Sequence, residues 1–169
     1  MTKISHQSLL DKLDYNPSTG QFTWKISIPR CVRAGAVAGG VSNKYWAIRI
    51  EGKLYYAHIL AWFYVTGVWP VSKIDHCNGV KTENWFDNLR LATSEQNAQN
   101  CQPHSDSLSG FKGVRPYRKR FAARIRVNGA NSHIGTFDTP ELAAAAYDAA
   151  ALTHFGQFAR TNRSLGLIA

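Results

Sequence analysis

The chain has 169 residues, 44% hydrophobic and 12% aromatic, which excludes general disorder and leaves room for one ordinary domain or two small ones. Twenty Lys and Arg stand against 11 Asp and Glu, a formal charge of +9. That balance favours a polyanionic partner, nucleic acid first, with a merely soluble basic protein as the plain alternative.

The segment SHQSLLDKL opens on Ser5 as a candidate N-cap and reads as a short helix. YNPSTGQFTWK follows, with a turn at Asn16-Pro17 and Gly20 and then a strand around 21–25. YWAIRIEGKLYYAH reads as a hairpin turning at Glu51-Gly52, with Trp46, Ile48 and Ile50 alternating against Tyr45, Ala47 and Arg49. AHILAWFYVTG is an apolar helix that stops at Gly67.

The next stretch, KIDHCNGVKTENWFDNLRLATSEQNAQN, reads as strand, loop, strand and helix. SKID runs into Asp75-His76, CNGVKTENWFDN is the loop, and LRLAT is the second strand. SEQNAQN starts at a Thr93 or Ser94 cap, so Asn97 stands on its first turns. CQPHSDSLSG, residues 101–110, reads as a linker rich in Ser.

Beyond it, FKGVRPY, RFAARIRVNG and NSHIGTFDT read as three strands. TPELAAAAYDAAALTHFG has a Thr cap, Pro at the first helical position, Glu in the first turn and Gly at its end. The charge is uneven: residues 1–109 hold 11 Lys/Arg and 8 Asp/Glu, while residues 110–169 hold 9 and 3. The C-terminal part is the stronger electrostatic candidate.

Cys31, Cys77 and Cys101 are far apart, odd in number and lack any CxxC pair. Neither a disulfide framework nor a structural zinc site is expected. No signal-type apolar region opens the chain and no run is long enough to span a bilayer. The expectation is a reducing cytoplasm, with no membrane partner.

As reagents, the residues of the fourth segment fit phosphodiester hydrolysis. Asp75 is a hard oxygen ligand suited to Mg²⁺ or Mn²⁺. His76 points the other way while the backbone stays extended, and becomes useful as a base for water where the strand bends. A neutral imidazole needs its second nitrogen held. A backbone carbonyl ordered by a loop Asn would hold it, and Asn88 is placed for that. Asn97 offers an amide oxygen back toward Asp75. The plain alternative is a polar turn around a structural histidine.

Asp75-His76, Asn88 in FDNLR and Asn97 in SEQNAQN together resemble the HNH, or His-Me finger, endonucleases. They are most similar to the phage and intron-homing subgroup, as are AHILAWFYVTG and YNPSTGQFTWK. The resemblance covers about residues 5–100. It implies a hairpin-plus-helix (ββα-metal) site around one divalent ion, Mg²⁺ or Mn²⁺, with Asp75 and Asn97 as ligands. It makes His76 the general base and Asn88 the residue that orients it. His58, at the start of the preceding helix, is either an accessory site residue or a half-buried structural histidine. His104, His133 and His154 have no partner at ligand spacing and read as surface or packing residues.

In the C-terminal unit Arg124 and Arg126 flank Ile125 and share one sheet face, which suits entry into a major groove. The plain alternative is a solvated basic face. GVR, FAARIRV, IGTFDTPELAAAAYDAAALTHFG and ARTN resemble the ethylene-response-factor (APETALA-type) DNA-binding domain of plants. The resemblance implies DNA contacts from Arg115, Arg124 and Arg126, with Arg118, Lys119 and Arg120 beside them. Tyr117, Phe121 and Arg124 depart from the plant pattern, so its base preference is not carried over. Arg49 and Lys53 on the first hairpin are further candidates for DNA contact.

The expected fold is α+β: an HNH module at 1–100, a linker at 101–109, a three-stranded antiparallel sheet packed on one helix at 110–163, and a tail at 164–169. The expected activity is metal-dependent endonucleolytic cleavage of double-stranded DNA, homing-type and strand-nicking, in the host-cell cytoplasm if phage-encoded. Two alternatives stay open: a DNA-binding regulator with a vestigial site, and a nuclease of relaxed specificity. Monomer or dimer is left undecided.

Overall fold

The computed structural model describes residues 3–103 and 107–169. His104 therefore lies outside the described residues, as does the middle of the expected linker. The described chain forms two compact units, residues 1–93 and 94–169. No described helix is long and apolar enough to cross a membrane.

In the first unit, helix α1 (His6–Lys12) is capped by Ser5, whose Oγ accepts from the Ser8 amide. Strands β1 (Leu13–Tyr15) and β2 (Phe22–Trp24) pair antiparallel. A sheet of β3 (Gly40–Ser42), β4 (Tyr45–Ile50) and β5 (Lys53–Tyr56) follows in that order, its second turn carrying Glu51 and Gly52 at positive φ. Helix α2 (Ala57–Thr66) is apolar almost all round and is correspondingly buried at Ala57, Leu60, Ala61 and Phe63. The core gathers around Leu9, Leu13, Phe22, Ile48, Ile50 and Leu60.

Strands β6 (Lys73–His76) and β7 (Leu89–Ala92) then form an antiparallel pair that sets Asp75 opposite Arg90 and His76 opposite Leu89. Helix α3 (Ser94–Gln99) comes next. By contact it belongs to the second unit, so the unit boundary falls ahead of the 101–109 segment. One tie is Lys112, whose ammonium donates to the carbonyls of Gln99 and Cys101.

The second unit has three antiparallel strands, β8 (Val114–Tyr117), β9 (Arg120–Val127) and β10 (Ala130–Phe137), with β9 central. Helix α4 (Pro140–Phe155) starts at Thr139, whose Oγ1 accepts from the Leu142 amide. It buries Ala143, Ala144, Tyr147 and Ala151, against a sheet that buries Val114, Ala123 and Ile125. The approach is close enough that a Cβ on Gly113 would lie 2.0 Å from the Tyr147 ring. The 164–169 segment is not loose. Ile168 packs on this core, and Asn162, fully buried, bonds both Lys112 main-chain groups and Asp148.

Candidate active site

His76 is the last residue of β6 and its strand stays paired through it, so Asp75 and His76 face opposite sides of the ribbon. The bend considered from the sequence comes one step later, in the turn that carries the Gly79 amide onto the His76 carbonyl. Both residues are 4% exposed. On one side the Asp75 carboxylate is gripped by Arg90, whose Nε and Nη2 donate to Oδ2 at 2.9 and 2.8 Å.

On the other side His76 enters a group of rings. His58 meets it edge-on at 5.1 Å between centroids, and Tyr45 lies 6.3 Å away. Tyr45 also packs on His58 and Tyr56, each at 5.2 Å, and carries the Lys81 ammonium 4.9 Å above its ring. Burial, the largest effect, lowers the His76 pKa, and Lys81 lowers it further. Asn84 and Asp75 oppose this. The imidazole is neutral at neutral pH. His58 is pushed down to about 4, by burial first and His76 second, and its buried Nδ1 has no hydrogen-bond partner among the described residues.

The residue that touches the His76 ring is Asn84, which the sequence reading passed over. Its Oδ1 lies 3.1 Å from His76 Nε2. Its Nδ2 donates to the Thr82 carbonyl at 2.9 Å, which fixes the amide's orientation. An amide oxygen only accepts, so Nε2 carries the proton and the lone pair sits on Nδ1.

Asn88 acts one step away. Its Oδ1 accepts from the Asn78 amide at 3.0 Å and its Nδ2 donates to the Glu83 carbonyl at 2.7 Å, clamping both limbs of the 77–88 loop. The partner of His76 Nε2 is thus the side-chain amide next to the carbonyl that Asn88 holds. No signal in the sequence singles out Asn84 among the loop's polar residues, because its role depends on the loop's closed shape.

In the first unit the structure brings His58 against His76, holds Asn88 in the loop that follows, and turns Asp75 to the other side of the ribbon. Asn97 stands half-buried on α3 in the second. Among the described residues no group of three or more His, Cys, Asp or Glu gathers. Of the other candidates, Arg49 donates to the Gly52 carbonyl across its own turn and is exposed; Lys53 is partly buried.

In the second unit the register places Arg115, Tyr117, Arg120, Arg124, Arg126, Asn131 and His133 on the sheet face away from α4, all exposed. Arg120 pairs with Asp138 at 2.7 Å, and Arg118 lies over the Tyr117 ring. Arg118 and Lys119 form the exposed β8–β9 turn.

Residues 55–99 match the HNH endonuclease family model. The chain belongs to the HNH endonuclease family, whose domain it carries at residues 55–99. It is 36% identical over 91 residues to an uncharacterized HNH endonuclease of Acanthamoeba polyphaga mimivirus, covering 53% of this chain and 46% of that protein. It is 32% identical over 108 residues to Protein 3.8 of Escherichia phage T7, covering 61% of this chain and 87% of that one. The chain therefore spans about half the length of the mimivirus relative.

Proposed function

We propose that the protein is a metal-dependent, homing-type DNA endonuclease that nicks one strand at a site chosen by its C-terminal unit. The observation that carries this reading is a buried, neutral His76, its protonated nitrogen held by Asn84, directly after a carboxylate turned and held by Arg90.

The oxygen donors that the resemblance assigns, the Asp75 carboxylate and the Asn97 amide, are of the type a hard ion such as Mg²⁺ takes, the rest of its shell being water and phosphate. When bound, such an ion supplies charge stabilisation at the scissile phosphate and the leaving 3′-oxygen. His76 takes the proton of the attacking water at Nδ1 and leaves a 5′-phosphate product. Asn88 keeps the loop closed. The resulting imidazolium is stabilised by Asp75 on the same strand. His58 is an accessory residue of this site.

The arginine face of the second unit, similar to the ethylene-response-factor domain, delivers the first unit to duplex DNA through Arg115, Arg118, Lys119, Arg120, Arg124 and Arg126. Arg49 and Lys53 add contacts from the first unit. Tethering raises effective concentration, so each unit can bind weakly alone.

The test is a supercoiled-plasmid assay, with phage DNA among the substrates, in Mg²⁺, Mn²⁺ or EDTA beside His76→Ala. Metal-dependent open circles are expected, reduced roughly 100- to 10,000-fold in the variant with DNA binding retained. Cutting by the variant at the wild-type rate overturns the mechanism. DNA binding without cutting in any metal returns the protein to the vestigial-regulator reading, and nicks at many sites to the relaxed-specificity one.

A further inference from the structure

We propose that Asn84 is a positioning residue for the reaction and that the N-terminal hairpin β1–β2, outside the 55–99 family match, exists in part to hold it. The proposal rests on His76 being the base.

The geometry has four parts. Asn84 is 2% exposed, and its amide is used at both ends, Oδ1 on His76 and Nδ2 on the Thr82 carbonyl. A buried amide satisfied this way cannot flip without leaving two groups unpaired. Its own carbonyl accepts the Tyr15 hydroxyl at 2.7 Å, and Tyr15 belongs to β1, 69 residues away in sequence. Burial, with Asp87 adding to it, pushes the Tyr15 pKa well above the usual phenol value, so the hydroxyl keeps its proton and donates.

Gly20, in the β1–β2 turn, presses its backbone against the same residue. A Cβ there would lie 2.3 Å from the Asn84 carbonyl carbon and the Trp85 nitrogen, and its φ is +75°. The Phe86 amide donates to the Pro17 carbonyl at 2.8 Å, a second clasp from that turn. The loop that presents Asn84 is thus pinned from outside the match by Tyr15, Pro17 and Gly20, and from within by Asn88.

The consequence is chemical. A neutral histidine interconverts between two tautomers, and only the one with its lone pair on Nδ1 can act as base in this setting. Asn84 removes the other tautomer by offering Nε2 an oxygen that cannot donate. Residues outside the match then act on the rate through Asn84.

The experiment pairs a spectroscopic readout with kinetics on the full chain. Ring ¹⁵N NMR of His76 is recorded for wild type, Asn84→Ala, Asn84→Asp and Tyr15→Phe, and single-turnover plasmid nicking is measured for each. Wild type should show Nε2–H alone. Asn84→Ala should show both tautomers and lose roughly 10- to 100-fold in kcat with KM little changed. Asn84→Asp keeps an acceptor and should restore the Nε2–H signature.

Tyr15→Phe keeps the buried ring, so it reports even where an Asn84 variant fails to fold. It should cost a few-fold in kcat while the chain stays folded, its melting temperature lowered only as far as one lost buried hydrogen bond requires. A pure Nε2–H signal and wild-type kcat in Asn84→Ala, or in Tyr15→Phe should that variant be unfolded, overturn the proposal. If no form of the protein nicks DNA, the endonuclease reading fails on its own, and the NMR still decides the tautomer.

Discussion

The 77–88 loop of the first unit and the outer sheet face of the second are both dense in polar side chains, and they hold them in opposite ways. In the loop, Asn84 and Asn88 are at most 3% exposed, and each amide is bonded at both its oxygen and its nitrogen. On the sheet, Arg115, Arg124 and Arg126 are exposed. The difference follows from the work proposed for each. A proton transfer needs one tautomer in one orientation, which burial and complete hydrogen bonding impose. Attraction to phosphate needs charge that stays in water until DNA replaces it, and such charges act nearly independently.

The comparison breaks first where a buried charge is uncovered. Arg90 and Asp75 form an ion pair at 2.8 Å with side chains 17% and 5% exposed. Arg90→Ala leaves Asp75 buried without its guanidinium. The expected loss is about 3–5 kcal/mol, read as a lower midpoint in urea unfolding. A loss below about 1 kcal/mol would mean that the pair behaves like an exposed one and that the strand tolerates an uncompensated carboxylate.

His58 gives the next largest effect, and its sign can be worked out. Its folded pKa of about 4 lies below the ordinary histidine value of 6.5. Between those values the unfolded chain binds more protons than the folded one, so stability is full above pH 6.5 and falls as pH drops toward 4. The loss at the acid end reaches at most about 3 kcal/mol. His76, also lowered, adds in the same direction. His58→Phe keeps a ring in the aromatic group and removes its share. Urea unfolding at pH 7 and pH 5 should show a smaller gap in the variant, and an unchanged gap would place the acid sensitivity elsewhere.

How much of this was legible in the sequence depends on how local its cause is. The hairpin turn at Glu51-Gly52, the stop of α2 at Gly67 and both ends of α4 are written in neighbouring residues, and the elements stand where those signals put them. Strand β3 was not anticipated. It is three residues long, begins at Gly40 and leaves Val41 65% exposed, so it has neither the alternation nor the length of a strand signal. The short 3-10 turn at Phe86–Asn88 reads as plain loop for the same reason.

Asn84 was illegible because its two partners are set by tertiary closure, with Tyr15 and Gly20 contributed from far upstream. So was the grouping of α3 with the second unit. Lys112, whose pKa burial lowers to about 8, is one residue in a basic run until its ammonium is seen on the carbonyls of Gln99 and Cys101.

The smallest effect on stability, and the sharpest on binding, belongs to the sheet. Arg124 and Arg126 sit at alternate positions of β9 opposite His133 and Asn131. The Arg126 Nε bond to the Gly129 carbonyl is exposed. Removing both side chains should change folding stability by less than about 0.5 kcal/mol each, as for surface residues. If both neutralise phosphates, the slope of log K against log salt should flatten by about two. Arg120 differs, because Asp138 already lies 2.7 Å from its Nε and must be displaced before a phosphate is met. Arg120→Ala should therefore flatten the slope less than either of the other arginines alone. A slope unchanged in the double variant would remove this face from the DNA interface, and a full unit lost at Arg120 would show that Asp138 offers no competition. Either result would be read by the same fluorescence-anisotropy titration across salt concentrations.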